Sequence, residues 1–452
     1  MNNDTICALA TAPGGAIGII RVSGPRSLDI VSSHCSVCFH SVAANTIHFT
    51  RLVNTEGETI DEVLVSIFRA PHSYTGEDSV EISCHGSKFI LNKVMELLIQ
   101  SGCRMANPGE YTMRAYLNGK MDLSQAEAVA DLISSTNKAT HQLAMSQLRG
   151  NISSALSDLR DQLLKLTSLL ELELDFSDHE DLEFADRSEL LQLTQNIHIH
   201  ITRLAQSFQI GQALKNGIPV AIVGKTNVGK STLLNRLLKE DRAIVSNIHG
   251  TTRDTIEDTI DIQGVTFRFI DTAGIRQTTD EVEQIGISRT YTAIDKARII
   301  LWLIDSEPTT SEVADIQQRC KEKSLIIVQN KIDKNDSDLS SPFFTFTSSL
   351  LKISAKKGDG IDALEKAIYQ AANIPVLSDS DIIVTNVRHY EALSRSRDSI
   401  LRVIDGLNNN LSGDLLAEDL RLTLDTLAEI TGGQITPQET LNNIFSHFCV
   451  GK

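Results

Sequence analysis

Eight residues, Gly224-Lys225-Thr226-Asn227-Val228-Gly229-Lys230-Ser231, fit G-x-x-x-x-G-K-[ST] and follow the apolar run Pro219 to Val223. The backbone amides of such a loop cradle nucleotide phosphates, its glycines allow close approach, and the helix behind it turns its positive end toward the anion. Phosphate contacts are therefore expected from Asn227, Val228, Gly229, Lys230, Ser231 and Thr232, with Lys230 as the catalytic cation and Ser231 beside the magnesium ion. A nucleotide hydrolase is the expected class.

Three later segments narrow the nucleotide. Asp271-Thr272-Ala273-Gly274 follows the apolar strand Val265 to Ile270, where an acid can reach the magnesium shell and a glycine amide can meet a γ-phosphate. Asn330-Lys331-Ile332-Asp333 ends the apolar run Leu325 to Val328 and offers an amide to guanine's acceptor edge and a carboxylate to its N1–H and N2–H donors. Adenine lacks that donor pair. Ser354-Ala355-Lys356 can present its backbone to the guanine carbonyl. The set points to GTP, not ATP.

Between the phosphate loop and Asp271 lies Ile244-Val245-Ser246-Asn247-Ile248-His249-Gly250-Thr251-Thr252-Arg253-Asp254, a switch candidate whose hydroxyls can complete the magnesium shell when a γ-phosphate is present, with Thr252 counted among the catalytic candidates. Ile275 stands where Ras-like enzymes carry a water-orienting glutamine, so hydrolysis needs another polar group and another positive charge. The acidic stretch Asp280-Glu281-Val282-Glu283 can polarise water, with Glu283 as the catalytic candidate, or can serve as partner of a helix dipole. The side-chain oxygen of Asn227 can bind a monovalent cation or simply shape its loop.

The rest of the chain must position this machinery. Its 452 residues exceed a single core and predict about three domains. A hydrophobic content of 41%, the lack of any apolar run near membrane-spanning length and the unapolar start Met1-Asn2-Asn3-Asp4 predict a soluble, cytoplasmic protein without a membrane span. Seven scattered cysteines predict thiols, and His34 to His40 offers only half a zinc site. A net charge of −16 disfavours broad adhesion to RNA. The basic stretch Arg388, Arg395, Arg397 and Arg402 reads as a solvated helix face, interrupted by Glu391 and Asp398.

Leu148, Ile152, Leu156, Leu159, Leu163, Leu166 and Leu170 lay one apolar stripe on a long helix, and Leu416, Leu420, Leu424 and Leu427 repeat the spacing before a Gly432-Gly433 stop. Short apolar runs at Gly18 to Val22, Val63 to Phe68 and Ser79 to Ser83 predict an α+β domain at the N-terminal end. The expected fold is multidomain α/β. It comprises an α+β domain over 1–119, a P-loop GTPase domain over 216–374, and a discontinuous α-helical domain over 120–215 and 375–452 into which the GTPase is inserted.

The four nucleotide segments resemble the TrmE-Era-EngA-YihA-Septin-like class of P-loop GTPases within the translation-factor-related group. Asp4-Thr5-Ile6, Gly18 to Gly24, Ser73-Tyr74-Thr75-Gly76-Glu77-Asp78, Pro108 to Thr112, Leu117 to Lys120 and the terminal Cys449-Val450-Gly451-Lys452 resemble the MnmE (TrmE) family across essentially the whole chain. The resemblance implies a potassium-activated GTPase, with K+ ligands at Asn227, Ser246, Ile248 and Thr251 and Mg2+ ligands at Ser231 and Thr252. It also implies a homodimer, an N-terminal folate site at Arg21, Glu81, Lys120 and Lys452 for 5-formyltetrahydrofolate or a related tetrahydrofolate, and a reactive-thiol candidate at Cys449. Its implied reaction, with the FAD-dependent partner MnmG, adds a carboxymethylaminomethyl-type group to C5 of the wobble uridine of certain tRNAs. The rival class is a ribosome-assembly or other regulatory GTPase that acts only by binding; it would lack the folate-like N-terminal domain and the Cys-x-Gly-Lys ending.

Overall fold

In the computed structural model, residues 4–175, 187–240, 258–270, 291–321, 323–334, 350–375, 381–433, 438–446 and 448–451 are described. The N-terminal region runs β1 (Ile6–Leu9), β2 (Ile17–Ser23), α1 (Ser27–Ser33), β3 (Thr46–Val53), β4 (Thr59–Phe68), β5 (Ser79–His85), α2 (Lys88–Gln100), β6 (Arg104–Met105) and α3 (Glu110–Leu117). Strand β4 shows why these runs form strands: Val63, Val65 and Ile67 are buried while Leu64 and Ser66 alternate outward. The sheet order is β3-β4-β5-β2-β1-β6, antiparallel except for β1 with β6. Its inner face packs Ile20, Val22, Val80 and Ile82 with Leu28 and Val31 of α1 and Leu91, Val94 and Leu98 of α2. The expected α+β domain is present.

Next come α4 (Leu123–Ser134), α5 (Lys138–Leu148), α6 (Asn151–Asp175) and α7 (Arg187–Asn216). The stripe expected on one helix is divided between two. Gly150 adopts φ +84°, a left-handed conformation that ends α5, so Leu148 closes α5 and only Ile152 to Leu170 line α6. Those six α6 residues are buried. They face the helix Gly413–Thr431, which supplies buried Leu416, Leu420, Leu427 and Ile430, while Leu424 of the expected stripe is only half-buried. Gly432, at φ +76°, caps that helix as its position predicts.

The second sheet follows: β7 (Ile218–Gly224), α8 (Lys230–Glu240), β8 (Asp258–Ile262), β9 (Val265–Phe269), β10 (Ile299–Ile304), β11 (Ser324–Gln329) and β12 (Leu350–Lys352). Its order is β12-β11-β10-β7-β9-β8, parallel except for the β8–β9 hairpin. All six residues of β10 are buried, as a strand covered on both faces requires. This P-loop domain is inserted between helices of the discontinuous helical domain.

Contacts group the chain into two units: Met1–Ser134, Ala144–Thr202 and Glu391–Lys452 form one, and Ser135–Leu143 with Arg203–Tyr390 form the other. Within the second unit, Ala139 N donates to Gly264 O at 3.1 Å, and Ala139 and Leu143 join the core beside Ile260, Ile262 and Val265. A short piece of chain far upstream thus completes the β8–β9 end of this unit's sheet.

Candidate functional site

Strand β7 delivers the phosphate loop and α8 begins at Lys230, so the loop sits at the carboxyl end of a parallel strand and at a helix N-terminus. Gly229 adopts φ +104°, and a Cβ there would lie 2.3 Å from Asn330 Nδ2; only glycine fits. Lys230 Nζ donates to Gly224 O at 2.6 Å and Lys225 O at 2.8 Å. Burial pushes its pKa below the usual lysine value, a cost that an incoming phosphate would offset. Ser231 and Thr232 occupy the first turn of α8.

Asn330, buried at the end of β11, does two jobs. Its Nδ2 donates to Val228 O at 2.8 Å, and its Oδ1 accepts Ala355 N–H at 3.0 Å. The guanine motif is thereby joined to the phosphate loop on one side and to the Ser354-Ala355-Lys356 loop on the other. Ser354 Oγ donates to Asp333 Oδ1 at 2.9 Å, and this bond holds the Asp333 carboxyl below its usual pKa, ready as an acceptor for guanine's donors. Arg236 Nη2 on α8 donates to Lys356 O at 2.6 Å and pins the third loop. Lys331, at φ +66°, donates from Nζ to Asn227 O and to Asp305 Oδ2, each at 2.7 Å. Asn227 is itself at φ +61° and exposed, and among the described residues its side-chain amide makes no hydrogen bond.

The phosphate loop, Asn330 to Asp333 and Ser354 to Lys356 are therefore brought together. The switch residues Ser246, Asn247, Ile248, His249, Gly250, Thr251 and Thr252, the segment Asp271 to Gly274, Glu283 and Lys452 lie outside the described residues. Asp305 was not singled out from sequence. Its only signal is an acid placed directly after an all-apolar strand.

A second polar constellation lies on the N-terminal sheet. Arg21 and Glu81 are direct partners across β2 and β5, with Arg21 Nη2 2.7 Å from Glu81 Oε1. The Arg21 guanidinium carbon lies 5.5 Å from the ring centroids of both Tyr74 and Tyr111. Tyr111 OH donates to Arg21 O at 2.7 Å, and Arg21 Nη1 donates to Gly451 O at 3.4 Å, which brings the C-terminal tail to this point. Lys120 Nζ donates to Pro71 O at 2.9 Å, and its side chain borders Gly76 in the turn that carries Tyr74. Tyr74 and Tyr111 fell inside quoted sequence blocks, but no spacing could assign them to Arg21.

Three of the four arginines in the basic stretch pair with acids, as expected of a solvated face: Arg395 with Glu429, Arg397 with Asp398 and Arg402 with Asp419. Cys449 is exposed. Among the described residues no group of three or more His, Cys, Asp or Glu side chains is placed to hold a metal, and no helix is long and apolar enough to cross a membrane.

The family model described as the MnmE helical domain matches residues 123–449, and that for the GTP-binding protein TrmE N-terminus matches 5–120. The chain is 56% identical to the tRNA modification GTPase MnmE of Bacteroides thetaiotaomicron, with 100% of each chain covered. It is 55% identical to the proteins of that name from Phocaeicola vulgatus, covering 100% of this chain and 99% of that one, and from Bacteroides fragilis, covering 100% of both. The chain belongs to the family of tRNA modification GTPases called MnmE.

Proposed function

We propose that this chain hydrolyses GTP to GDP and, with the FAD-dependent partner MnmG, adds a carboxymethylaminomethyl-type group to C5 of the wobble uridine of certain tRNAs. The observation that carries the nucleotide half is the Val228–Asn330–Ala355 bridge with the Ser354-bound Asp333 carboxylate beside it. It sets an acceptor for N1–H and N2–H on the same rigid piece as a lysine and the loop amides suited to phosphate. Lys230 would exchange its two carbonyl partners for phosphate oxygens on loading, and so carries positive charge to the transferred group.

Ser231, with Thr252, is suited to a magnesium ion, which when bound neutralises charge between the β- and γ-phosphates. Asn227 suits a potassium ion: its side-chain oxygen is uncommitted among the described residues and stands at the rim of the loop, and Ser246, Ile248 and Thr251 offer further oxygens. Glu283 is assigned to the attacking water in place of the missing glutamine.

The folate site is assigned to Arg21, Glu81, Lys120 and Lys452. A pterin edge pairs with a carboxylate, a glutamate tail pairs with cations, and the two tyrosines fix the Arg21 fork. A homodimer is supported by the outward face of the same sheet, where Ile47 and Phe49 of β3 and Leu64 of β4 are all exposed, and Phe49 sits directly opposite Leu64. We assign the protein to the cytoplasm.

The test is GTP turnover in matched KCl and NaCl, followed by tRNA analysis after adding the flavin partner and a folate donor. Faster turnover in KCl, a severe loss in Glu283→Ala with nucleotide binding retained, and wobble-uridine modification are expected. Equal velocity in both salts removes the potassium assignment; unmodified tRNA favours a GTPase that acts only by binding.

A further inference from the structure

A loop whose amides converge on an anion must turn its carbonyls elsewhere, and four of those carbonyls are held by named groups. Lys230 Nζ takes Gly224 O and Lys225 O, Lys331 Nζ takes Asn227 O, and Asn330 Nδ2 takes Val228 O. Two of the residues involved, Asn227 and Lys331, are non-glycines in the left-handed region, a conformation that persists only where the surroundings enforce it. The single hydrogen bond from Lys331 Nζ to Asn227 O joins them.

Both lysines at the loop's rim have carboxylate partners from one short segment. Asp305 follows β10 directly. Asn330 N donates to Ile304 O at 2.8 Å, which sets the two strand ends side by side, and Asp305 Oδ2 reaches Lys331 Nζ at 2.7 Å. Seven residues later Glu312 Oε1 lies 3.0 Å from Lys225 Nζ. Glu312 is itself fixed, because its Oε2 accepts from Thr309 N at 2.9 Å in the capping box that starts the helix Thr310–Arg319. Two carboxylates beside a site for polyphosphate would weaken it by repulsion unless each were spent on holding a cation in place.

We propose that Asp305 and Glu312 are positioning residues for the nucleotide: they brace the phosphate loop from outside by fixing Lys331 on the Asn227 carbonyl and Lys225 on the loop's first turn. The inference rests on the GTPase reading above and deepens it. The brace acts at Lys225 and Asn227, on the part of the site that meets the β-phosphate, while the base side has bonds of its own, from Ala355 N–H to Asn330 Oδ1 and from Ser354 Oγ to Asp333. Loss of the brace therefore lowers affinity for GDP more than for GMP.

The test uses full-length protein with Asp305→Asn, Glu312→Gln and both together. Glutamine also completes a capping box, so the helix start is retained while the charge on Lys225's partner is lost. Displacement of a fluorescent guanine nucleotide gives the GDP and GMP affinities, and melting of the nucleotide-free protein reports on folding. Each single change should weaken GDP binding about threefold and the pair about tenfold, as expected for partly exposed ion pairs. GMP affinity and melting should hold, and Asp305→Glu should recover part of the loss. GDP affinity within twofold of the parent, or GDP and GMP affinities falling in parallel, overturns the brace. A parent protein that binds GDP no better than ADP would overturn the GTPase reading itself.

Discussion

Asn330 Nδ2 donates to the Val228 carbonyl over 2.8 Å, and through this contact the base-recognition loop and the phosphate loop are one piece. Asn330→Ala would strand a buried carbonyl and the Ala355 N–H, each at a cost of about 1–3 kcal/mol. Guanine nucleotide affinity should fall by roughly 10- to 100-fold at about 1.4 kcal/mol per decade. Titration with a fluorescent GDP analogue checks it; an unchanged dissociation constant would mean that the two loops hold their places independently.

Glu110 gives the N-terminal domain a pH dependence. Burial raises its pKa most, but hydrogen bonds from Arg104, the Asn107 N–H and Arg114 together bring it below the ordinary 4.5. The folded value lies under the unfolded one, so the stabilisation is complete above 4.5 and is lost as pH falls through the lowered value. Asp4, paired with Arg104 and Arg114, shifts in the same direction and adds to the effect. Glu110→Gln should cost about 1.5–3 kcal/mol near neutral pH, because it removes the charged acceptor shared by two arginines that keep Asp4 as a partner. It should also flatten the acid limb of stability, as read by denaturant unfolding at about pH 7 and about pH 4. A variant with the parent's acid sensitivity would place the pH response elsewhere.

Arg21 is held by a carboxylate, two aromatic rings and a tail carbonyl at once. Lysine keeps the charge but loses the planar fork and its ring contacts. Arg21→Lys should therefore weaken 5-formyltetrahydrofolate binding about tenfold, near the top of the range for one desolvated cation–π or ionic contact. Calorimetric titration is the measurement, and parent-like affinity would remove Arg21 from the proposed folate site.

The strand, turn and helix start around the phosphate loop were legible because their signals are local: Gly224 to Ser231 sets all three within eight residues, and Asn330 to Asp333 follows directly on β11 as its apolar run predicts. The leucine stripes also predicted which faces are buried, since helical period and burial are the same fact. What escaped were contacts closed through long loops. Tyr111 reaches Arg21 across 90 positions and Arg21 reaches Gly451 across 430, and no periodicity encodes such separations. The break between α5 and α6 was hidden for a different reason: Gly150 left the spacing of leucines intact while its left-handed backbone redirected the chain.

Asn137 shows how a single side chain can serve both a helix and a sheet. Its Oδ1 accepts from Thr140 N at 2.8 Å and caps the start of α5, while its Nδ2 donates to Thr266 Oγ1 on β9 at 2.7 Å. Serine in its place keeps the cap but is too short to reach Thr266, so Asn137→Ser should cost about 1 kcal/mol and Asn137→Ala, which loses both bonds, about 2. Thr266→Val should match the serine change, and combining it with Asn137→Ser should add little, because the two remove one shared bond. Hydrogen exchange of the β8–β9 amides reads this without assuming all-or-none unfolding of a multidomain chain. Additive losses from the two changes would mean that Asn137 supports α5 alone and that the upstream segment is held to the hairpin by Ala139 and the apolar contacts of Leu143.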